Sequence, residues 1–342
     1  MPQIELHTPA SLLDDLGLPQ NFGWARQPGF FYDPALVRAP RRRLSESDRY
    51  IVFSTTHIAT FEIRDDGYAG YMGISVASLF DKMRSTHYYH TLLPLGSYDM
   101  PPGSEAGSIR YRRKKLRLDF ISMEGGVRII KTDIPNFGRH RSLRGELVLT
   151  EPAMSESLVT NIPWSRDKKA FRYSRRSPWY AVEGVIQFGG TEIFFPHGRA
   201  WGILDWNRAV RPRQDIHYWA SAYGHNAEHL VGFCIGYGSG DSSAGTENAF
   251  FVDGKLHKLD QVTFNIPPAD WLSPWRFTSN DNRLEMIFEP HQERIERTSI
   301  LLFSSTRRQV IGFFSGKVTL DDGAIFEFKN ITGFAERHKT RG

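Results

Sequence analysis

Hydrophobic and polar residues alternate with a period of two along most of the chain. Leu284, Met286 and Phe288 occupy every second position, and Arg283 and Glu285 lie between them. This alternation is typical of a β-strand with one buried face, because successive side chains point to opposite sides of a sheet. Comparable runs lie at residues 50–56, 59–63, 115–120, 127–132, 143–150, 182–188, 216–224, 230–237, 255–266, 295–303, 309–320 and 326–329. The pattern predicts roughly twenty strands.

Short glycine-containing turns separate these runs. Examples are Asp65-Asp66-Gly67, Glu124-Gly125-Gly126 and Asp321-Asp322-Gly323. Asp253-Gly254 lies between two apolar runs and predicts a tight hairpin. Helical periodicity is confined to residues 11–15 and 76–83. The sequence therefore predicts a nearly all-β protein.

The number of strands predicts two β domains in succession. About twenty closely spaced strands with no βαβ rhythm are too many for one small barrel. Two consecutive antiparallel barrels or sandwiches are the simplest arrangement. We expect an irregular leader over residues 1–45, a first domain over 46–172 and a second over 173–342. The polar stretch at 161–178 is the expected crossing between them.

Composition excludes several classes of protein. The chain has 342 residues, 40% of them hydrophobic and 24% charged, with a net charge of +5. This balance is typical of a globular protein and not of a disordered chain. Cys234 is the single cysteine, which excludes a disulfide scaffold and a cysteine-based zinc or iron–sulfur centre. No apolar run is long enough to span a membrane, and the N-terminus lacks a signal-peptide pattern, so we expect a cytoplasmic protein.

One segment concentrates positive charge. Its basic residues are Arg110, Arg112, Arg113, Lys114, Lys115 and Arg117. Leu116, Leu118 and Phe120 alternate with polar positions there, which indicates a half-buried strand whose basic side chains face water. The alternative is a patch for phosphate-bearing ligands. No nucleic-acid-binding motif accompanies the segment or Arg41-Arg42-Arg43, so we expect no nucleic-acid partner.

The stretch from His197 to Lys258 is the densest in candidate chemistry. In a strand, Asp205, Asn207 and Ala209 share one face, and Trp206 and Arg208 share the other. Asp205 is a candidate for proton transfer if it is buried, and Glu247, in a sharply bent loop, is a second catalytic candidate. Apolar area with a few polar groups at a barrel mouth suits a small molecule. The candidate substrate-binding residues are His197, Trp206, Arg208, His217, Trp219, Tyr237, Asp241 and Asn248.

Two suggestive motifs lack the context that their chemistry needs. His225-Asn226-Ala227-Glu228-His229 matches the spacing of an inverted zinc-protease motif, which requires a helix. Here the flanking residues predict two strands joined by a hairpin turn. The glycine-rich Gly236–Gly240 segment is not followed by a helix that could hold a phosphate. We expect no metal and no other cofactor.

Three segments carry a family resemblance. They are Trp201 with Leu204-Asp205-Trp206-Asn207-Arg208, Trp219-Ala220-Ser221-Ala222, and Thr246-Glu247-Asn248 with Asp253-Gly254-Lys255-Leu256-His257-Lys258-Leu259. With Asn161-Ile162-Pro163-Trp164 and Gly333-Phe334-Ala335-Glu336, they resemble the domain-of-unknown-function 2804 family over most of the chain. More remotely, Ala200-Trp201 and Asp205-Trp206 are similar to a segment of carotenoid 1,2-hydratase and its relatives, the fungal Diels–Alderases, tocopherol cyclase and lipid-binding survival factors.

This remote resemblance implies two lipocalin-like (calycin-type) β-barrels in tandem and a pocket for an apolar molecule. The chain departs from the hydratase pattern, because Ile203-Leu204-Asp205 replaces the second acidic residue and the histidine beside the tryptophan. Function resides in the site and not in the fold, so the resemblance alone does not transfer the hydratase reaction.

Three functions are compatible with these features. The first is a cofactor-independent hydratase, isomerase or cyclase that acts on an apolar small molecule, with Asp205 transferring protons, Glu247 as a second acid or orienting base, and Trp206, Trp219 and Tyr237 as pocket walls. The second is a non-catalytic carrier of a lipid or hydrophobic metabolite. The third is a glycan-active hydrolase that uses two carboxylates among Asp205, Asp241 and Glu247. The sequence does not decide between enzyme and carrier, and it gives no oligomeric state.

Overall fold

Antiparallel strands dominate the regular structure of the chain, as the period-two alternation predicts. The computed structural model describes residues 3–81, 83–137, 141–300 and 303–341. Within them the chain forms 24 strands, and its 3₁₀ turns lie at Pro34–Leu36, Arg41–Arg43 and Glu124–Gly126. Strands β1 (Ala10–Ser11) and β3 (Phe30–Phe31) form a small parallel sheet near the N-terminus. None of the described helices is long and apolar enough to cross a membrane.

The first large sheet has 13 strands. They are β2 (Gly23–Ala25), β4 (Leu44–Ser54), β5 (His57–Asp65), β6 (Ala69–Ser78), β7 (Arg84–Leu92), β8 (Gly107–Arg113), β9 (Leu116–Ser122), β10 (Val127–Phe137), β11 (Arg141–Thr150), β12 (Leu158–Trp164), β13 (Asp167–Phe188), β14 (Thr191–Phe195) and β15 (Ala200–Val210). Its main order is β7-β6-β5-β4-β15-β13-β11-β10-β9-β8; β12 and β14 also pair with β13, and β2 pairs with β12.

The second large sheet has nine strands. They are β16 (Gln214–Asn226), β17 (His229–Tyr237), β18 (Ala249–Val252), β19 (Lys255–Lys258), β20 (Val262–Asn265), β21 (Trp275–Ser279), β22 (Leu284–Ile300), β23 (Phe303–Thr319) and β24 (Ile325–Arg341). Their order is β19-β18-β17-β16-β24-β23-β22-β21-β20, and all pairs are antiparallel.

Each sheet curls around its own hydrophobic core. In the first, Arg113 of edge strand β8 donates a hydrogen bond to the His90 carbonyl of edge strand β7, and the Tyr111 hydroxyl lies 3.4 Å from the Tyr89 carbonyl oxygen. These contacts draw the two ends of the sheet together. Buried aliphatic and aromatic side chains occupy both interiors. The structure confirms the predicted all-β fold of two consecutive lipocalin-like units.

A third hydrophobic cluster joins the two sheets. On β4, Ile51 and Phe53 face the second sheet, while the residues between and beside them face the interior of the first. The Trp179 ring of the first sheet packs edge-on against Tyr223 of the second, with ring centroids 5.5 Å apart. This apolar contact covers one end of the interface between the sheets, and the other end is polar.

Buried ion pairs connect the sheets at the polar end. Arg49 of β4 donates two hydrogen bonds of 2.9 Å to the Glu336 carboxylate of β24. Arg307 of β23 makes a similar pair with Glu62 of β5, at 2.8 and 3.3 Å. Burial opposes ionisation of Glu336, but Arg49 and Arg307 outweigh it and lower its pKa to about 2. Both carboxylates therefore stay ionised inside the protein.

The structure differs from the sequence-based expectation at two predicted helical pieces, and it bears on the predicted domain boundary. The helical pieces predicted at residues 11–15 and 76–83 are wrong, because β6 extends to Ser78 and Ser11 belongs to β1; residue 82 lies outside the described part. Asp14 caps a turn by accepting hydrogen bonds from the amides of Leu16 and Leu18. Strand β13 runs unbroken through residues 172–173, and the chain passes between the large sheets after Val210. The division of the chain into domains at 172/173 stays a prediction.

The Glu336 pair makes a prediction about acid stability. A carboxyl whose pKa falls from 4.5 unfolded to about 2 folded stabilises the fold above pH 4.5, by about 3 kcal/mol, and loses that contribution as the pH falls towards 2. Urea unfolding should show that Glu336→Gln is destabilised at pH 7, and that its deficit narrows by about 2 kcal/mol at pH 3. The exposed Glu183→Gln is the control. A deficit that does not change with pH would contradict this account.

Candidate functional site

A charged cleft lies at the polar end of the interface between the two large sheets. Strands of both sheets contribute to its walls. Arginines are the most numerous charged residues there, and the half-buried Trp164 supplies apolar surface. The charged, polar and aromatic side chains that line the cleft include Arg49, Glu62, Arg64, Trp164, Arg172, Arg176, Asp205, Asn207, His217, Trp219, Arg307, Glu336 and His338. The site is therefore between the barrels, whereas the sequence led us to expect a barrel mouth.

Strand register builds the wall formed by the first sheet. Across β5, β4, β15 and β13, the directly paired residues are Glu62, Arg49, Asp205 and Arg176. Paired residues in neighbouring strands point to the same face of a sheet. The four side chains thus form a row of alternating charge that faces the second sheet.

Asp205 has one carboxylate oxygen engaged and the other open to the cleft. The Asn207 amide nitrogen donates a hydrogen bond of 2.8 Å to Oδ1, and Arg176 Nε lies 3.4 Å from the same atom. Oδ2 has no hydrogen-bond partner among the described residues and is not enclosed by protein. The side chain is only 10% exposed. A carboxylate held in this way can exchange a proton with a molecule in the cleft.

Glu247 lies behind the cleft wall, in the loop between β17 and β18. Its carboxylate accepts hydrogen bonds from Arg176 at 2.6 Å and Arg172 at 3.1 Å, and His217 Nε2 is 2.6 Å away. Burial alone would raise the pKa of Glu247, but Arg172, Arg176 and His217 hold it well below its usual value. These contacts favour the ionised form of Glu247, and its catalytic role stays a prediction.

His217 presents its second ring nitrogen to the cleft. Its Nε2 is engaged by Glu247, whereas Nδ1 has no partner among the described residues and is not enclosed by protein. Gly236 makes this contact possible, because a Cβ there would lie 3.1 Å from His217 Nε2 and 3.3 Å from Glu247 Oε2. The contacts run continuously from Asp205 through Arg176 and Glu247 to His217.

Trp219 lies at the back of the cleft wall on the second sheet. The guanidinium carbons of Arg176 and Arg49 lie 4.8 and 5.4 Å from its ring centroid. Phe334 packs edge-on against the ring, with centroids 4.9 Å apart. The indole Nε1 is buried and has no hydrogen-bond partner among the described residues. Trp219 is 1% exposed, so it packs behind the cleft wall and fixes the two arginines.

Three predicted site residues are buried elsewhere. Trp206 and Arg208 lie on the opposite face of β15, inside the first barrel, where the guanidinium carbon is 4.3 Å from the Trp206 ring centroid. Arg208 donates hydrogen bonds to Asp48 and to the Pro101 carbonyl. Asn248 accepts a hydrogen bond of 2.7 Å from the Gly236 amide and donates one to the Asp260 carbonyl. These contacts pin strands and loops, and none of the three residues lines the cleft.

The other three predicted site residues lie nearer the surface and do not line the cleft either. His197 is exposed in the turn before β15 and lies 3.7 Å from Glu183. Tyr237, at the end of β17, stacks on Tyr218 with centroids 4.7 Å apart. Asp241 accepts a hydrogen bond from the Ser243 amide within its own loop. Asp205, His217 and Trp219 are the predicted residues that the cleft brings together, with Glu247 behind them.

Several cleft residues were missed by the sequence reasoning. Arg172 and Arg176 lie in the stretch expected to be a crossing, but alternate positions of β13 carry them on one face. That period of two was the available signal. His338 was also missed. Burial, together with Arg307 and Arg64, lowers its pKa well below the usual value, so this cleft histidine is neutral at pH 7.

The motifs set aside on context have non-catalytic roles. His229 opens β17 directly after the turn that ends β16 at Asn226, so the zinc-like motif is a hairpin as predicted. Asp253-Gly254 likewise joins β18 to β19. Among the described residues, no group of three or more His, Cys, Asp and Glu side chains is arranged to hold a metal ion.

The chain belongs to the DUF2804 family, a domain of unknown function, whose model matches residues 3–341. Among curated proteins, none matches its sequence. The crystal structure of CghA is similar to it, with a TM-score of 0.56, 11% identity and coverage of 96% of this chain and 97% of that chain. CghA with Sch210972 gives a TM-score of 0.55, at the same identity and coverage.

A putative AttH from Nitrosomonas europaea is also similar, with a TM-score of 0.53, 11% identity and coverage of 91% of this chain and 98% of that chain. At such low identity these structures show the fold alone. They confirm the tandem lipocalin-like architecture, and the family match confirms the family that the sequence motifs indicate.

The charge balance behind the cleft predicts which carboxylate the fold requires. Glu247→Gln leaves Arg172 and Arg176 without their buried counter-ion and should lower the free energy of unfolding by about 3–5 kcal/mol. Glu183→Gln, an exposed carboxylate beside His197, should change it by less than about 0.5 kcal/mol. Urea unfolding at pH 7 measures both. An unchanged stability of Glu247→Gln would show that the cluster does not need this charge.

Proposed function

We propose that this member of the DUF2804 family is a cofactor-independent enzyme of the hydratase, isomerase or cyclase type, whose reaction depends on proton transfer in the cleft between the sheets. One observation carries the proposal. Asp205 and His217 each present an open atom to the same cleft, and buried contacts through Arg176 and Glu247 hold both in place. Two positioned proton-transfer groups are what such reactions require.

His217 is suited to accept the proton. Glu247 accepts a hydrogen bond from Nε2–H, so Nδ1 is the ring nitrogen that can accept a proton when the ring carries only that one. When Nδ1 takes a proton from substrate, Glu247 stabilises the resulting imidazolium. Asp205 is the second proton-transfer group, at the β15 wall. Glu247 acts through His217 and is a positioning residue.

The surroundings favour a particular substrate class. Arg172 and Arg176 line the cleft and can stabilise an oxygen that becomes negatively charged during reaction, such as an enolate or phenolate. Trp164 is half-buried and offers flat apolar surface to the cleft. We therefore propose a small molecule with a hydrophobic body and one polar, acidic reacting end. This refines the purely apolar substrate that the sequence suggests.

Two observations weigh against the alternatives. Among the described residues, buried side chains pack in the interiors of both barrels, whereas a lipid carrier needs an open apolar cavity. Glycan hydrolysis needs two carboxylates beside the scissile bond. Glu247 is already engaged by Arg172, Arg176 and His217, and Asp241 belongs to a surface loop.

Asp205→Asn and His217→Gln should each abolish turnover with little loss of stability, since both residues keep one side open to the cleft. The purified, dialysed protein is incubated with small-molecule extract from its own cells, and the products are followed by untargeted mass spectrometry. The proposal predicts consumption of a compound and appearance of a product that is isomeric with it or differs by one water. No added cofactor should be needed.

The chain offers a matched control pair. His229 and Asp253 form an Asp–His contact of 2.6 Å on an exposed hairpin of the second sheet, far less buried than His217 and Glu247. Asp253→Asn and His229→Gln should leave turnover unchanged. Full turnover by Asp205→Asn or His217→Gln, or equal losses in the control variants, would overturn the assignment.

A further inference from the structure

Three exposed leucines lie at the end of edge strand β7 and just after it, and Leu92 is the last residue of that strand. Leu92, Leu93 and Leu95 are 67%, 62% and 49% exposed. Large aliphatic side chains usually pack away from water, and an exposed group of them marks an interaction surface. These three leucines, with the basic hairpin of β8 and β9, are called the seam patch below.

The backbone of two of these leucines adopts an energetically unfavourable conformation. Leu93 and Leu95 have φ angles of 50° and 51°, in the left-handed region that non-glycine residues rarely adopt. Backbone hydrogen bonds secure this conformation, from the Leu93 amide to the Tyr68 carbonyl and from the Leu95 amide to the Gly67 carbonyl. Strained conformations persist where the fold enforces them, and they are frequent at functional segments. The conformation of the loop that carries Leu93 and Leu95 is thus fixed by its contacts with the rest of the fold.

Basic side chains lie directly beside this loop. Leu92 lines an open groove at the seam between β7 and β8 together with Arg110, Arg112 and Arg113. The Tyr98 ring of the loop packs against Tyr111 of β8, with centroids 5.6 Å apart. No acidic residue is among the described residues that line this groove.

The β8–β9 hairpin has more basic side chains than nearby acidic side chains pair with. Arg110, Lys114, Lys115 and Arg117 are exposed, and none of them forms an ion pair with a described residue. Arg112 is paired with Asp119. The sequence reasoning interpreted these residues as a solvated strand face, and Leu118 and Phe120 are buried beneath them, as that interpretation predicts. The exposed leucines beside these basic side chains indicate that this surface also binds a partner.

We propose that the seam patch docks the protein on the surface of an anionic lipid bilayer. Lysines and arginines attract acidic headgroups, and exposed leucines insert into the boundary between headgroups and acyl chains. A nucleic acid or a soluble phosphate would use the positive charges, but it would gain nothing from three leucines. This combination favours a lipid surface over either of those ligands. The inference is independent of the proposed reaction.

Vesicle co-sedimentation of the full chain tests the proposal. The probes are vesicles of phosphatidylcholine alone and of phosphatidylcholine with about one third phosphatidylserine, at about 0.1 M salt. The wild-type protein should bind the anionic vesicles and not the neutral ones. The triple variant Arg110→Gln/Lys114→Gln/Lys115→Gln should lower the partition coefficient roughly 100-fold, because each surface cation near the membrane contributes about a factor of five.

Two further variants separate the contribution of the leucines to vesicle binding from that of the protein's net charge. Leu93→Ser/Leu95→Ser keeps every charge and should still weaken vesicle binding at least about tenfold. Lys168→Gln/Lys169→Gln/Lys329→Gln removes three exposed charges far along the chain and should leave binding unchanged. Thermal unfolding of each variant verifies the fold.

Three results would overturn the proposal. They are no binding to anionic vesicles, equal loss in the Lys168/Lys169/Lys329 control, and binding that the leucine variant leaves intact. The last result, with tight binding to a single-stranded oligonucleotide, would identify a site for soluble polyanions instead.

Discussion

Pairing of buried charge between the two sheets is the interaction on which the candidate site depends. Glu62, Arg49, Asp205 and Arg176 alternate in sign across four paired strands, and each must find a counter-ion once the second sheet covers them. Glu336 on the second sheet completes part of this pairing. An unpaired buried charge costs several kcal/mol, so the sheets can pack only where the charges match. The same pairing fixes the cleft walls.

The strand faces that meet the other sheet are apolar at one end and polar at the other, and this division explains the position of the cleft. On β4, Ile51 and Phe53 pack in the cluster that joins the sheets, while Arg49, Ser47 and Ser45 on the same face line the cleft. One end of the interface is therefore closed by hydrophobic contact, and the other end is held by ion pairs with open space between them. Inside the barrels, the buried side chains of the described residues pack into two hydrophobic cores.

The sequence predicted the fold well because period-two alternation is a local property. It also placed Asp205 and Trp206 on opposite faces of one strand, which the structure bears out. It could not show which face meets the second sheet. Arg176 was also missed, because it lies in the polar stretch at 161–178 that we expected to be a crossing between domains. Trp206 was included among the site residues because a tryptophan beside a candidate acid is equally compatible with a pocket wall and with a core.

The most direct test of the central claim is the position of bound substrate. The Asp205→Asn variant, which should bind without turning over, can be crystallised with the compound that the wild-type protein consumes. The account predicts electron density in the cleft, with the reacting atoms within hydrogen-bond reach of position 205 and of His217 Nδ1. Density inside either barrel, or on the outer surface away from Trp219, would contradict it.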